Sequence, residues 1–186
     1  MSQKVLGIDP GLTRCGFGLI TSDKSRSVKF LEVGVFTTKP DLELSERLHL
    51  IGLDIEKLLD RVKPDRVAIE RVFSQQNLKT VMSIASISGI VSYLCSVRGI
   101  KVDYYTPTEV KAAVTGSGRA KKDQVGNMVV KILKLKDLPK PADAADALAV
   151  AITASWRSGT SEAKSEQTPA QIKWRAAEAA SKKRAR

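Results

Sequence analysis

Residues 4–20 read KVLGIDPGLTRCGFGLI, two short apolar runs separated by a turn. The first run, KVLGID, stops at Pro10-Gly11, a pair of residues typical of tight turns. The second run, CGFGLI, has the same apolar character. The stretch therefore predicts two β-strands near the N-terminus, with Asp9 at the end of the first strand.

Similar patterns along the chain predict the remaining elements. Three further strands are expected, VKFLEVGVF at 28–36, RVAIE at 66–70 and KVDYY at 101–105. Apolar residues at helical spacing predict helices at 42–62, 80–97, 107–114, 122–135 and 142–156. Three strands come before the first helix, whereas the later strands alternate with helices. We therefore expect an α/β fold in which helices flank a mixed five-stranded sheet.

The charge balance indicates a polyanionic partner. Thirty-one Lys and Arg residues against twenty Asp and Glu residues give a formal charge of +11. Such an excess favours DNA, RNA or an anionic membrane surface. After Gly159 the chain is rich in Ala, Ser, Lys, Arg and Glu and has little apolar periodicity. We expect a folded domain over residues 1–157 and a basic tail over 158–186 that is disordered when free.

One stretch has the length and composition of a membrane span. Thr80–Val97 carries no charged residue, but it contains five serines, so a buried helix is the better prediction. The first strand is under way by Val5, which leaves no room for a signal peptide. Cys15 and Cys95 lie far apart without a metal-binding spacing and indicate buried thiols in a reducing compartment. These features predict a cytoplasmic protein with no membrane partner.

Two acidic residues end predicted strands. In alternation Asp9 shares a strand face with Gly7, and Glu70 shares a face with Ala68. In both strands, a small residue therefore lies two positions before the acid on the same face. This arrangement leaves space for another element to approach the sheet beside each carboxylate.

The last predicted helix fits that space. PADAADALAVA begins with small residues, so the helix backbone can come close to a sheet. Asp143 and Asp146 are three residues apart and project from one side of the helix. Ala147 and Val150 continue that side inward. The two acids thus lie at the N-terminal end of a face that otherwise packs inward.

Three of the four acids have ordinary structural explanations when they are considered singly. Asp143 suits a helix N-cap, Asp9 suits an Asx turn before Pro-Gly, and Glu70 suits a surface position at a strand end. Asp146 faces inward and has no such explanation. If the first and fourth strands are neighbours under the last helix, four carboxylates converge without enough cations to neutralise them.

A divalent cation would relieve that repulsion. Oxygen-only ligands indicate Mg²⁺ or Mn²⁺ and not zinc. The single histidine, His49, is predicted to lie mid-helix, and no nucleophile pair is evident. Two metal ions about 4 Å apart can activate water and stabilise the leaving oxygen of a phosphodiester.

Four sequence blocks together resemble the RuvC family of Holliday-junction resolvases. The blocks are GIDPGLTRCGFG, AIERVF, TPTEVKAAVTGSGRAKKDQV and PADAADALAVAI, and the resemblance extends to about Trp156. It implies an RNase H-like (retroviral integrase superfamily) fold and a magnesium-dependent endonuclease that acts in recombination and DNA repair by paired symmetric nicks. It also implies a homodimer, with the RuvA and RuvB branch-migration proteins as partners. The resemblance places two Mg²⁺ ions, replaceable by Mn²⁺, on Asp9, Glu70, Asp143 and Asp146.

Basic and aromatic residues near these acids are candidates for DNA contact. The resemblance implies a base-stacking role for Phe73 and backbone contacts for Lys111 and Lys122. Phe73 also lies in a polar, loop-like run, where stacking on an unpaired base or a core role both remain open. The basic residues that flank the proposed site are Arg71, Lys79, Lys111, Arg119, Lys121 and Lys122. They suit phosphate contacts, although GSGRAKK could also be a solvated loop.

The uncharged helix has two stripes at helical spacing. Small residues form one stripe, at Ala85, Gly89, Ser92 and Ser96, and apolar residues form the other, at Ile84, Ile87, Val91 and Leu94. We predict that one face packs on the sheet and the other on the same helix of a second copy. A two-fold dimer would present two metal sites to a four-way DNA junction.

Two other functions remain open from the sequence. DPGLTRCG resembles the first phosphate loop of actin-like ATPases and sugar kinases, but those proteins need two such domains, and 186 residues cannot supply both. A non-catalytic junction-binding protein is the second alternative. Such a protein has no need of four converging carboxylates.

Overall fold

A computed structural model describes residues 2–23, 25–71 and 78–157, apart from the side chains of residues 78 and 79. The strands are β1 Gln3–Asp9, β2 Arg14–Ser22, β3 Val28–Thr37, β4 Arg66–Glu70 and β5 Lys101–Tyr105. The helices are α1 Leu44–Val62, α2 Leu78–Val97, α3 Pro107–Thr115, α4 Lys122–Leu133 and α5 Ala142–Arg157. All ten predicted elements are present, with ends shifted by one or two residues. The predicted tail, 158–186, lies outside the described residues.

The sheet is mixed, as the order of elements predicts. Its strand order is β3-β2-β1-β4-β5. β1 pairs antiparallel with β2, and β2 pairs antiparallel with β3. β4 pairs parallel with β1 on one side and with β5 on the other. The chain therefore begins with antiparallel strands and then adds parallel strands through the helical crossovers α1 and α2.

Strand alternation separates two cores on opposite faces of the sheet. Leu6 and Ile8 of β1 are fully buried in the core that α1 and α2 cover. Val5 of β1 and Ala68 of β4 belong to the second core, together with α5 and parts of α3 and α4. Asp9 and Glu70 follow the alternation of this second face, so both acids belong to the side covered by α5.

Helix α5 packs directly against the backbone of the central strands. A Cβ atom added to Gly7 would lie 2.1 Å from the Ala147 carbonyl oxygen. A Cβ atom added to Gly16, which pairs with Asp9 across β1 and β2, would lie 2.1 Å from the Asp143 carbonyl oxygen. These distances are far below van der Waals contact, so glycine is required at both positions. The prediction that small residues admit the last helix is confirmed.

We expect Gly7→Ala to destabilise the fold by roughly 2–3 kcal/mol, because α5 must move off the sheet to admit a methyl group. Urea unfolding of the variant measures this change. Gly52→Ala is the matched control, since a Cβ atom at Gly52 of α1 would make an ordinary 3.5 Å contact with Ile90 Cγ2. Ala has the higher helix propensity, so Gly52→Ala should leave stability unchanged or raise it by up to about 1 kcal/mol. Equal effects of the two substitutions would contradict the close approach of α5.

Helix α2 packs on the sheet through one face only. Ile87, Val91 and Cys95 are fully buried, but only 17% of the window Thr80–Val97 is buried, and its mean hydropathy of 1.6 is high enough for a membrane span. The helix satisfies its own hydroxyl groups, as the Ser86 hydroxyl donates to the Met82 carbonyl at 2.8 Å. Within a single chain the helix is therefore buried on one side, and burial of its other face on a second copy stays a prediction. One face of α2 has no neighbour within the described residues.

Candidate active site

Strand register brings the two strand-end acids together. Ile8 of β1 pairs with Ile69 of β4 in parallel register, so Asp9 and Glu70 each lie one residue further along neighbouring strands. The N-terminal turn of α5 crosses at the same level, because the Asp143 backbone lies against Gly16, the partner of Asp9. The ends of β1 and β4 and the first turn of α5 thus carry the acids at the same level of the sheet.

Asp9 is at the centre of this arrangement. The pKa of Asp9 rises from 3.8 to about 7. Burial is the main cause, and the charges of Glu70, Asp146 and Asp143 add to the rise. Only the charge of Lys122 opposes the effect. A simple turn residue before Pro-Gly would not carry such repulsion. The convergence of four carboxylates, which was conditional on the strand order, is present in the structure.

Glu70 is a second acid whose pKa is raised, by less than that of Asp9. Burial raises the pKa of Glu70, and the charge of Asp146 adds to the rise. The charges of Lys122 and Lys111 act in the opposite direction. Glu70 is therefore half-buried among other acids and is not a surface residue at a strand end.

The other two acids differ from expectation because each has a cationic partner. Arg14 Nε lies 2.8 Å from Asp143 Oδ2, and Lys122 Nζ lies 2.7 Å from Asp146 Oδ2. The acids thus have more neutralising cations than the sequence indicated. The uncompensated repulsion falls mainly on Asp9 and Glu70, because the two helix acids are paired.

Asp143 is not the cap of its helix. Helix α5 begins at Ala142, so Asp143 lies in the first helical turn. Its Oδ2 atom is buried and accepts no hydrogen bond, although it lies against the Arg14 guanidinium. A buried carboxylate oxygen without a hydrogen bond is an available ligand for a cation.

The donor set fits a hard divalent cation. Four carboxylates supply oxygen ligands. Burial, and after it the charges of the other acids, raise the pKa of Asp9 and Glu70, and a bound cation would offset both effects. Among the described residues, no three acidic, histidine or cysteine side chains already lie at metal-binding spacing. Two of the four carboxylates, those of Asp143 and Asp146, are paired with Arg14 and Lys122.

Several predicted DNA contacts lie beside the acids. Lys122 touches Asp146, and Lys111 is close enough to Glu70 to lower its pKa. A capping box begins the helix that carries Lys111, with Thr106 Oγ1 accepting from the Glu109 backbone N–H at 3.3 Å. Arg119 and Lys121 are exposed in the segment before Lys122. These four basic residues form a rim, which we call the basic rim: Lys111, Arg119, Lys121 and Lys122.

Other predicted contacts are not part of this rim. The Arg71 guanidinium lies over the Tyr104 ring, 5.1 Å from its centroid. Tyr104 pairs with Ile69, whose side chain is in the core under α1 and α2, so Arg71 is on the sheet face opposite to Glu70. The prediction that Arg71 flanks the carboxylates is therefore wrong for the side chain. Phe73 and the Lys79 side chain lie outside the described residues, and their roles stay predictions.

A wide cavity opens next to Asp143. It has a volume of about 1060 Å³ and is lined by the loop after β1 and by the first turns of α1 and α2. Arg14 and Arg47 both line it. Arg47 is held in place, because its guanidinium donates to Thr38 Oγ1 at 2.9 Å and to Thr13 Oγ1 at 2.8 Å. Neither arginine was identified from the sequence, where the position of Arg14 just after the Pro-Gly turn was the only local signal.

Comparison with known proteins agrees with the fold. A family described as Crossover junction endodeoxyribonuclease RuvC matches residues 5–154. The chain is 51% identical to the Crossover junction endodeoxyribonuclease RuvC of Paenarthrobacter aurescens, with 99% of this chain and all of the relative covered. The corresponding protein of Renibacterium salmoninarum is 54% identical, with 97% of this chain and 95% of the relative covered.

Solved structures give the same result. Thermus thermophilus RuvC in complex with a Holliday junction substrate superposes with a TM-score of 0.80 at 34% identity, covering 85% of this chain and 97% of that chain. The yeast mitochondrial Holliday junction resolvase Ydc2 superposes with a TM-score of 0.59 at 14% identity, covering 83% of this chain and 80% of that chain, which shows a shared fold.

The fold is RNase H-like, and the family that matches it is one of metal-dependent nucleases. The chain belongs to the RuvC family of crossover junction endodeoxyribonucleases and is therefore a hydrolase.

Proposed function

We propose that the protein resolves Holliday junctions in DNA recombination and repair by paired symmetric nicks, and that it requires Mg²⁺. The observation that carries the proposal is the group of four carboxylates beside the basic rim. Burial and the charges of the other three carboxylates together raise the pKa of Asp9 to about 7. Three residues of the rim, Arg119, Lys121 and Lys122, are exposed. A purely DNA-binding protein gains nothing from acids that repel phosphates.

Asp9, Glu70, Asp143 and Asp146 would hold two Mg²⁺ ions, with Mn²⁺ able to replace them. When bound, the ions would supply an activated water molecule and stabilise the leaving oxygen of the phosphodiester. The carboxylates fit this role because they are hard oxygen ligands held on rigid elements, two strand ends and one helix.

The basic residues have a different task. The hydrogen bond from Lys122 to Asp146, and after it the charges of Asp146, Asp9 and Asp143, raise the pKa of Lys122 and keep it protonated. It can therefore hold a DNA phosphate next to the acids when Asp146 binds a metal ion. Lys111, Arg119 and Lys121 extend the same positive surface and can position the backbone without reading the base sequence.

A synthetic four-way junction tests the proposed function. Incubation of the full chain with the junction and Mg²⁺ should give paired nicks at symmetric positions on two opposing strands. The same mixture with EDTA should give binding without cleavage, and a linear duplex of equal length should be cut far more slowly. Unsymmetrical single nicks, or equal cleavage of both substrates, would contradict junction resolution. Metal-independent binding without any cleavage would favour the non-catalytic alternative.

We further propose that the protein is a homodimer formed through α2. Large apolar side chains on the outer face of this helix are exposed in the single chain, with Met82 at 67%, Tyr93 at 68% and Val97 at 66%. Ala85, Gly89 and Ser96 lie exposed between them, and a Cβ atom at Gly89 would meet nothing within 4 Å among the described residues. Ser92 is half-buried and hydrogen-bonds to the Tyr104 hydroxyl, so it would lie at the edge of the interface.

An α2–α2 contact suits these features. An apolar face of this size normally meets a partner, and small residues let two helices approach closely. A two-fold axis would then present two identical sites to a junction that is itself nearly two-fold symmetric. This face would meet a second copy of the chain, in keeping with a cytoplasmic enzyme.

We expect Gly89→Glu to weaken the dimer by at least about 100-fold, because two buried carboxylates would face each other across the axis. Sedimentation equilibrium measures the dissociation constant, and circular dichroism checks that the monomer still folds. Leu31→Glu is the control, since Leu31 lies on β3 and is 45% exposed. A wild-type chain that is monomeric at micromolar concentration would contradict the proposal.

RuvA and RuvB branch-migration proteins are the proposed partners, on the strength of family membership. They would bring the moving junction to the two sites of the dimer. Gel filtration of the full chain with a four-way junction and purified RuvA should show one complex that contains all three. Mutual exclusion of the two proteins from the junction would oppose this.

A further inference from the structure

Arg14 lies against one of the proposed metal ligands. It is the first residue of β2, and its Nε atom lies 2.8 Å from Asp143 Oδ2. That oxygen is buried but accepts no hydrogen bond, so the contact is an ion pair without hydrogen-bond alignment. Such a contact keeps a positive charge near the carboxylate, but little free energy is lost when another cation replaces the guanidinium.

The Arg14 side chain also has space to move. It is 57% exposed, whereas the Asp143 side chain is 23% exposed. It lines the wide cavity beside Asp143, which is open to solvent. Arg47, in the same cavity, is fixed by two threonine hydroxyl groups. Arg14, by contrast, forms an ion pair with Asp143, one of the four acids.

A divalent cation and the Arg14 guanidinium compete for the same oxygen. Both cannot contact Asp143 Oδ2 closely, because their positive charges repel each other at that distance. A cation that binds Asp143 through Oδ2 must therefore displace Arg14. The displaced guanidinium would face the cavity. A backbone phosphate of the DNA substrate is the anion that it would meet there.

We propose that Arg14 is an exchangeable counter-ion: it neutralises Asp143 in the free enzyme, yields that carboxylate to the divalent cation, and then contacts a phosphate of the bound DNA. This inference rests on the proposed metal site. It makes Arg14 a positioning residue that couples two binding events. Metal binding releases Arg14 for DNA, and by linkage DNA strengthens metal binding.

Titration with Mn²⁺ in the absence of DNA tests the first half of the exchange. Free Mn²⁺ is measured by electron paramagnetic resonance with the full-length protein. Arg14→Gln should bind Mn²⁺ roughly 5- to 10-fold more tightly than the wild type, because a competing charge is removed. Arg14→Lys keeps the charge and should bind Mn²⁺ nearly as weakly as the wild type.

Arg61→Gln is the matched control. Arg61 is also 57% exposed and forms an ion pair with Glu32 at 2.7 Å, but this pair joins α1 to β3 and does not involve the four acids. Its loss removes one positive charge and one ion pair from the protein. Mn²⁺ affinity should not change, which separates the local exchange from the effect of net charge.

Junction binding tests the second half. In EDTA, Arg14→Gln should lose less junction affinity than in Mg²⁺, because Arg14 is then paired with Asp143 and only the net charge near the DNA changes. In saturating Mg²⁺ its KM for the junction should rise several-fold, with a smaller effect on kcat. Arg14→Lys should recover most of the lost KM.

Three results would overturn the inference. Unchanged or weaker Mn²⁺ binding by Arg14→Gln would show that no exchange occurs at Asp143. An equal loss of junction affinity in EDTA and in Mg²⁺ would show that Arg14 contacts DNA regardless of metal. If Asp146→Asn binds as much Mn²⁺ as the wild type, or if the wild type binds none, the proposed metal site is wrong as well. If the wild type binds Mn²⁺ but Arg14 has no influence, only this inference fails.

Discussion

Asp146→Asn should reduce junction cleavage by at least about 10³-fold, because loss of one ligand removes several kcal/mol of metal-assisted stabilisation of the transition state. Asp146 is the acid that acts most widely in the site, since its charge raises the pKa of both Asp9 and Glu70. The substitution keeps the shape of the side chain and removes one negative charge. Junction binding in EDTA should therefore be retained or become tighter. Single-turnover cleavage and gel-shift titrations measure the two effects.

The structure also sets the expected effect on stability. Asp146 pairs with Lys122 at 2.7 Å, and the Lys122 side chain is 66% exposed. An exposed ion pair of this kind contributes only about 0–1 kcal/mol, and its loss is offset by relief of repulsion among the acids. Apo stability should stay within about 1 kcal/mol of the wild type.

Asp137→Asn is the control for this variant, because Asp137 is an exposed acid in the loop between α4 and α5. Its cleavage rate should match the wild type. A large loss of stability in Asp146→Asn, together with lost junction binding, would mark Asp146 as a structural residue.

Asp9→Asn should stabilise the metal-free protein by roughly 2–4 kcal/mol at pH 8, while it abolishes cleavage. Folding raises the pKa of Asp9 from 3.8 to about 7. At pH 8, the carboxylate is ionised in both states, and its charge is far less favourable in the folded protein. As the pH falls from 8 to 4, the folded chain takes up a proton that the unfolded chain does not yet bind. Wild-type stability from this group therefore rises towards acid pH.

The variant lacks this titration, so the difference between the two proteins should depend on pH. The gain from Asp9→Asn should shrink to below about 1 kcal/mol at pH 4. Urea unfolding in EDTA at both pH values measures the difference. Added Mg²⁺ should stabilise the wild type at pH 8 more than the variant, since the cation binds the folded state. A variant that is less stable than the wild type at pH 8 would show that Asp9 supports the fold through contacts that Asn cannot replace.

Much of this architecture is a local property of the sequence. The alternation of KVLGID predicts that Asp9 faces the same side as Gly7, and the structure confirms it through the contact of α5 with Gly7. The small residues of PADAADALAVA predict a helix that can approach a sheet, and Ala147 lies directly on that glycine. Both predictions succeed because side-chain period and side-chain size act over a few residues.

The same alternation could have excluded Arg71 from the acidic cluster. Adjacent residues at the end of a strand point to opposite faces, so the Arg71 side chain is expected on the sheet face opposite to that of Glu70. Its charge suggested a phosphate contact beside the acids, but the strand geometry puts it over Tyr104 on the other face. The proposed dimer face of α2 shows the reverse case, because its stripes are visible in the sequence but its exposure depends on how α2 packs against the sheet.

Side-chain alternation and residue size along the chain are enough to predict that two acids end strands, that two more share one side of a helix, and that this helix can approach the sheet. How the charges of these acids are balanced depends on the packing of distant residues. Arg14 and Asp143 are far apart in the chain but 2.8 Å apart in space, and Lys122 is paired with Asp146 in the same way. The repulsion therefore falls on Asp9, whose pKa rises to about 7. Charge interactions and desolvation depend on distance and burial in three dimensions, and neither is encoded in the spacing of residues along the chain.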